Sequence, residues 1–134
     1  MKFPTLGVLA ASLSFAACSA PPYAARQIED DAEMTSNVVV TDGELQDIIA
    51  VGRASVERVE GTNQLKIVVP IRNEDDEQIQ VLAQVSFLNL QKQPIGDDTN
   101  RQVQIIPPGM TIMHTATSRS ADAKDWTLRL GWNR

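Results

Sequence analysis

Cysteine is nearly absent from this chain: Cys18 is the only one in 134 residues. One thiol cannot close an internal disulfide, so apolar packing and backbone ladders must stabilise any domain that follows it. Histidine is as scarce, with His114 alone. A catalytic triad needs a base beside a nucleophile and an orienting group, and a metal site needs several His, Cys or carboxylate ligands. Neither set is present in any recognisable spacing, so the chain reads as a non-enzyme without metal or cofactor. Aromatic residues make up 4% of the sequence. Cations are in deficit, with 12 Lys and Arg against 17 Asp and Glu and a net charge of −5. Phosphate recognition needs clustered Lys and Arg, so nucleic acid is not an expected partner. The longest apolar stretch, Phe3 to Ala17, falls short of the roughly 20 residues of a membrane-spanning helix. No repeat and no long helical period appear.

What is present begins with that stretch. Lys2 and the α-amine make a small basic start, the apolar run follows, and Ala16-Ala17 precede Cys18. The pattern resembles a bacterial lipoprotein signal, although Phe15 stands where Leu, Val or Ile is usual. The resemblance implies cleavage before Cys18, acylation of Cys18, and a permanent hold on the membrane through its acyl chains. A single chain anchors only marginally, at about 0.8 kcal/mol per buried CH₂, so stable anchoring needs more than one. Ser19 rather than Asp follows the cysteine, which by the same resemblance implies the periplasmic face of the outer membrane. The rival reading is an ordinary secretory signal cut after Ala16, with Ser14 and Ala16 as its small residues. These features divide the chain into a signal peptide (1–17), a lipidated N-terminus with a flexible tether (18–36), and a domain (37–134). The tether reading rests on Pro21-Pro22 and the acidic run Glu29, Asp30, Asp31 and Glu33.

From Asn37 onward the apolar period is two. Val38–Val40 is a short expected strand, and Ile48 to Val59 a longer one with Gly52 as a bulge. Leu65, Ile67, Val69 and Ile71 share one face, and so do Ile79, Val81, Ala83, Val85 and Phe87. Glu74-Asp75-Asp76-Glu77 is expected to turn the first of these strands back onto the second. Val103 and Ile105 are expected to point inward, Pro107-Pro108-Gly109 to turn the chain, and Thr111–Thr117 to pair back. Trp126, Leu128, Leu130 and Trp132 share a face of the last strand. About seven short strands with turns between them predict an all-β, immunoglobulin-like antiparallel sandwich.

The order LKIVVPIRN, VSFLN, KQPIG, IIPPGM and ADAKDWTLRL resembles the YcfL-type lipoproteins, a family of unknown function, and exported FxLYD-like domains. The resemblance spans about residues 38–132. It implies an immunoglobulin-like sandwich, an envelope location and no catalytic residues. Some genomes place the family beside lipoprotein activators of peptidoglycan synthases, so the implied partner is an envelope protein, with that machinery as one candidate.

Single positions are weighed against ordinary roles. His114 reads as a strand histidine with satisfied hydrogen bonds. The Glu74–Glu77 run and Asp97-Asp98 read as solvated turns rather than Ca²⁺ ligands, because no Asp-x-Asp-x-Asp-Gly loop is present. Leu82 and Leu88 fall on a nominally polar face, and Val68 and Pro70 on that of the strand expected beside it. With Trp132 they form the expected partner surface, and Pro70 marks a strand open to β-augmentation. The alternative function is a small-ligand or glycan binder with a pocket lined by Trp126, Trp132 or Phe87.

Overall fold

A computed structural model of the chain describes residues 23–28 and 37–133. The signal peptide, Cys18, and residues 19–22 and 29–36 of the expected tether lie outside the described residues. The alternating patterns become strands, with one short helix among them. The elements are β1 (Tyr23–Ala24), β2 (Val38–Val40), α1 (Gly43–Ile48), β3 (Ile49–Val51), β4 (Ser55–Arg58) and β5 (Leu65–Asn73). They continue with β6 (Ile79–Leu88), β7 (Pro94–Asp98), β8 (Gln102–Ile106), β9 (Thr111–Thr117) and β10 (Asp125–Trp132). Asp42 caps α1, its carboxylate accepting the Glu44 N–H at 2.9 Å.

The expected all-β sandwich is present. One sheet runs β1-β2-β10-β6, and its far side is shared by β8 along Ile79–Ala83 and β7 along Ser86–Leu88. The other sheet is centred on β5, with β3 and β4 end to end on one side and β9 on the other. Ile67, Val69 and Ile71 of β5 face Val81, Val85 and Phe87 of β6 and Leu128 and Leu130 of β10 in one core, all fully buried. Trp126 joins that core. Burying side chains of this size stabilises the fold by roughly 1.5–3 kcal/mol each.

Four expectations change. First, β5 and β6 do not form a hairpin. They lie in different sheets, and residues 74–78 carry the chain across the sandwich. Alternation shows that each strand buries one face; it does not say which strand completes its ladder. Second, β2 runs parallel to β10, so the sheet is mixed. Almost the whole domain separates the two strands, and no tight turn imposes an antiparallel pairing.

Third, Val103 and Ile105 point outward, at 49% and 52% exposure, while Ile106 is buried. The register sets Ile106 against Ile79 and Gln104 against Val81. A shift of one residue reverses every side chain of a strand. Gln104 is tolerated on the inner face because its Nε2 meets His114 Nδ1 of β9 at 3.1 Å. Fourth, the stretch from Ile48 to Val59 breaks at Gly52. A Cβ there would lie 3.1 Å from both Cβ and Cγ of Pro70, and the Gly52 N–H donates to the Pro70 carbonyl at 2.9 Å. Pro70, which has no N–H, thus sits opposite the gap between β3 and β4, where no ladder donor is required of it.

Part of the expected tether is paired. Tyr23 and Ala24 align with Val40 and Val39. Three residues on, the Val51 N–H donates to the Arg26 carbonyl at 2.7 Å, and the Ile28 N–H donates to the Val51 carbonyl at 3.0 Å. Residues 23–28 therefore cross from the edge of one sheet to the edge of the other. They satisfy backbone groups that β2 and β3 would otherwise expose.

Candidate functional site

The five residues expected to form one partner surface lie on two different sheets. Val68 and Pro70 are on the outer face of β5, aligned with Thr115 and Met113 of β9. Ile28 approaches the same Gly52 position as Pro70, so residues 26–28 partly cover that ring. β5 has neighbours on both sides, so β-augmentation at the Pro70 strand is excluded. Leu82 and Leu88 are on β6 in the other sheet, six positions apart along the strand. Leu88 is half-buried and aligns with Asp125 and Pro94. Leu82 and Trp132 border one groove, but from opposite faces of the sheet: Trp132 aligns with buried Val81 and packs against the core, and Leu82 aligns with Gly131 on the outer face.

Around Leu82 the outer face of the β6 sheet carries Val103, its direct cross-strand partner, and Ile105 beside Gln80. Three apolar side chains thus adjoin on one exposed face. Next to them is an open groove of about 250 Å³, lined by Thr41, Leu82, Gln84, Arg101, Arg129, Gly131 and Trp132. Gly131 aligns with Leu82 and Arg129 with Gln84. Gly131 lets Thr41 pack against the β10 backbone here: a Cβ would meet Thr41 Oγ1 at 2.7 Å, so any side chain at 131 would displace it. Thr41 is held in place by its own N–H, which donates to the Leu130 carbonyl at 2.8 Å. The far wall is set by Thr99. Its hydroxyl accepts the Val85 N–H at 2.9 Å, and its carbonyl accepts Gln84 Nε2 at 3.0 Å. These bonds pin the loop that places Arg101 over β6.

Three aromatic residues are candidates to line a small-ligand pocket. Phe87 and Trp126 are core residues, at 0% and 4% exposure, and of the three aromatic candidates only Trp132 borders the groove. His114 is buried, hydrogen-bonded to Gln104, and held below its ordinary 6.5 by desolvation. It has the structural role expected of it. No group of three or more His, Cys, Asp or Glu that could hold a metal occurs among the described residues.

Two residues that matter to the architecture escaped the sequence reading. Asn73 is fully buried at the crossover between the sheets. Its Nδ2 donates to the carbonyls of Glu77 at 2.7 Å and Ile106 at 2.9 Å, and its Oδ1 accepts the Asp75 N–H at 2.9 Å. The Asn at the end of an alternating strand was the available signal. Asp97 was read as solvated, but it is 6% exposed. Its carboxylate accepts the N–H groups of Arg119 and Ser120 at 2.7 and 3.0 Å, and Arg119 Nε at 3.2 Å. Asp98, beside it, is exposed as expected. On β10, where Asp125 aligns with Leu88, partial burial works to raise the Asp125 carboxyl. Hydrogen bonds from Lys92, the Trp126 backbone and Asn37, with the attraction of Lys92, outweigh that and hold it below 3.8.

No family model matches the sequence, and no curated protein does. Solved structures share the fold. Campylobacter jejuni cj0090 superposes with a TM-score of 0.60 at 16% identity, over 74% of this chain and 100% of that one. A DUF1425 family member from Shewanella sp. pv-4 superposes at 0.56 and 13% identity, over 61% of this chain and 75% of that one. At these identities the likeness is one of fold.

Proposed function

We propose that this chain is a lipid-anchored envelope protein of the YcfL type, acting as a non-enzymatic binding module for another envelope protein from the periplasmic face of the outer membrane. The observation that carries the binding role is the strip of exposed Val103 and Ile105 with half-buried Leu82 beside them. Single exposed apolar residues are ordinary on a protein surface, whereas an adjoining set on one flat sheet face marks a contact site. The signal-like N-terminus supports the address, and the shared fold is consistent with the family resemblance.

The pairing of residues 23–28 changes how such an anchor would work. Tyr23 is five positions after Cys18. Five residues span at most about 17 Å even when extended. An acylated Cys18 would hold the β1 edge close to the lipid, rather than at the end of an 18-residue leash.

The test is in-cell crosslinking followed by mass spectrometry, with two sets of variants. Val103→Asp with Ile105→Asp should abolish capture of a discrete protein while leaving the fold unchanged by circular dichroism. Val68→Asp, on the other sheet, should not. Equal capture by all forms would overturn the surface. Cys18→Ala should leave the membrane fraction, and its retention there after a high-salt wash would overturn the anchor.

A further inference from the structure

The groove beside this strip has a chemistry of its own. Arg101 and Arg129 both line it, and no carboxylate does. The other described arginines engage carboxylates, backbone carbonyls or further partners, as in Arg26 with Glu74, Arg72 with Glu74, Arg119 with Asp97, and Arg58 with the Asn63 carbonyl. Among the described residues, Arg101 and Arg129 have no ion pair and no side-chain hydrogen bond. In a chain of net charge −5, acidic partners are in surplus. Two unpaired guanidinium groups converging on one groove are therefore a local reversal of the protein's charge.

The remaining lining narrows the ligand. Leu82 gives an apolar wall, Trp132, which packs against the core, closes one end, and Gln84 and Thr41 offer polar groups able to meet a peptide backbone. Guanidinium forks match the planar carboxylate through paired N–H···O bonds. At about 250 Å³ the groove is smaller than the 300–1,000 Å³ usual for a whole small ligand, so it suits the end of a larger one.

We infer that the groove formed by Arg101, Arg129, Gln84, Gly131, Leu82 and Trp132 binds the free C-terminal carboxylate of a peptide whose last side chain is apolar. The carboxylate meets the two arginines, and the side chain packs on Leu82. The inference rests on the partner-binding reading of this face and adds what part of the partner it takes.

The experiment uses the ¹⁵N-labelled full-length protein in neutral detergent, titrated with N-acetyl-alanyl-leucine as the free acid, with its C-terminal amide, and with inorganic phosphate. The free acid should shift the Gly131 amide, the Gln84 side-chain amide and the Trp132 indole signals. The amide should bind roughly ten-fold more weakly or worse, and Arg101→Gln or Arg129→Gln should each weaken the acid by about ten-fold. Both arginines are exposed, and matching amide spectra would establish that these variants fold. Three results would overturn the inference: no shift with the free acid, equal binding of acid and amide, or phosphate binding at the same signals as tightly as the acid. Loss of carboxylate binding with protein capture intact would sink this inference alone, whereas loss of capture with carboxylate binding intact would sink only the strip.

Discussion

Gln104 of β8 and His114 of β9 meet 3.1 Å apart across the gap between the two sheets, joining their strands by a partly buried side-chain hydrogen bond. As the amide lies, Nδ1 accepts, so the neutral ring carries its proton on Nε2.

Desolvation lowers the His114 pKa below its ordinary 6.5, and this sets the sign of a pH effect. Above 6.5 the ring is neutral in both the folded and unfolded chain and adds no slope. Below it, the unfolded chain takes up a proton that the folded ring resists, so stability falls with pH until the folded ring also protonates. The urea midpoint should decline as pH drops from 6.5 toward 5, and His114→Gln should flatten that decline. Parallel slopes for the two proteins would remove His114 as the cause.

Asn73 should be among the costliest polar positions. Asn73→Ala removes three hydrogen bonds and leaves the Ile106 carbonyl buried beside a cavity. The expected loss is about 2–4 kcal/mol in chemical denaturation, from roughly 1 kcal/mol per bond plus unsatisfied groups. A loss below about 0.5 kcal/mol, the range of ordinary surface changes, would show that the crossover does not depend on it.

Asp97 and Asp98 are adjacent in sequence and opposite in consequence. Asp97→Asn weakens the bonds to Arg119 and Ser120 and should cost about 1–3 kcal/mol. Asp98→Asn should stay within about 0.5 kcal/mol of the parent. Thermal or urea unfolding of the two variants side by side decides it, and equal effects would contradict the buried role of Asp97.

Gly52 and Pro70 should be energetically coupled. Gly52→Ala places a methyl 3.1 Å from the Pro70 ring, an overpacking expected to cost about 1–3 kcal/mol. In Pro70→Ala the ring is gone, so adding Gly52→Ala should cost clearly less than it does alone. Additive effects in the double-mutant cycle would mean that the two residues do not share this contact.

Several parts of the architecture could be read from local pattern. The alternations of Leu65–Ile71, Ile79–Phe87 and Trp126–Leu130 identified strands with a buried face, because side chains in a strand point alternately to opposite sides whatever its partner. The Pro-Pro-Gly turn was legible for a similar reason, since it depends on the φ preferences of its own residues. Leu82 was also named from sequence, as an apolar residue on the polar face of its strand, and Trp132 as the last residue of the apolar face of β10.

Pairing and register were decided elsewhere. Whether Gln104 or its neighbours Val103 and Ile105 point inward depends on alignment with β6 and on His114 waiting across the sandwich. Nothing in the five residues of β8 contains that information. The same is true of β5 and β6, adjacent in sequence yet in separate sheets, and of residues 23–28, which show no strand period of their own yet pair with both edges. The groove, too, is a product of assembly. Arg101, Arg129 and Thr41 come from distant parts of the chain, and only the meeting of β2, β6 and β10 sets them around Gly131. The sequence by itself determined the strand faces, the charge balance and the signal-like start, because those follow from each residue and its near neighbours. The tertiary structure alone decided which faces meet and which cations remain unpaired, because those depend on contacts between residues far apart in the chain.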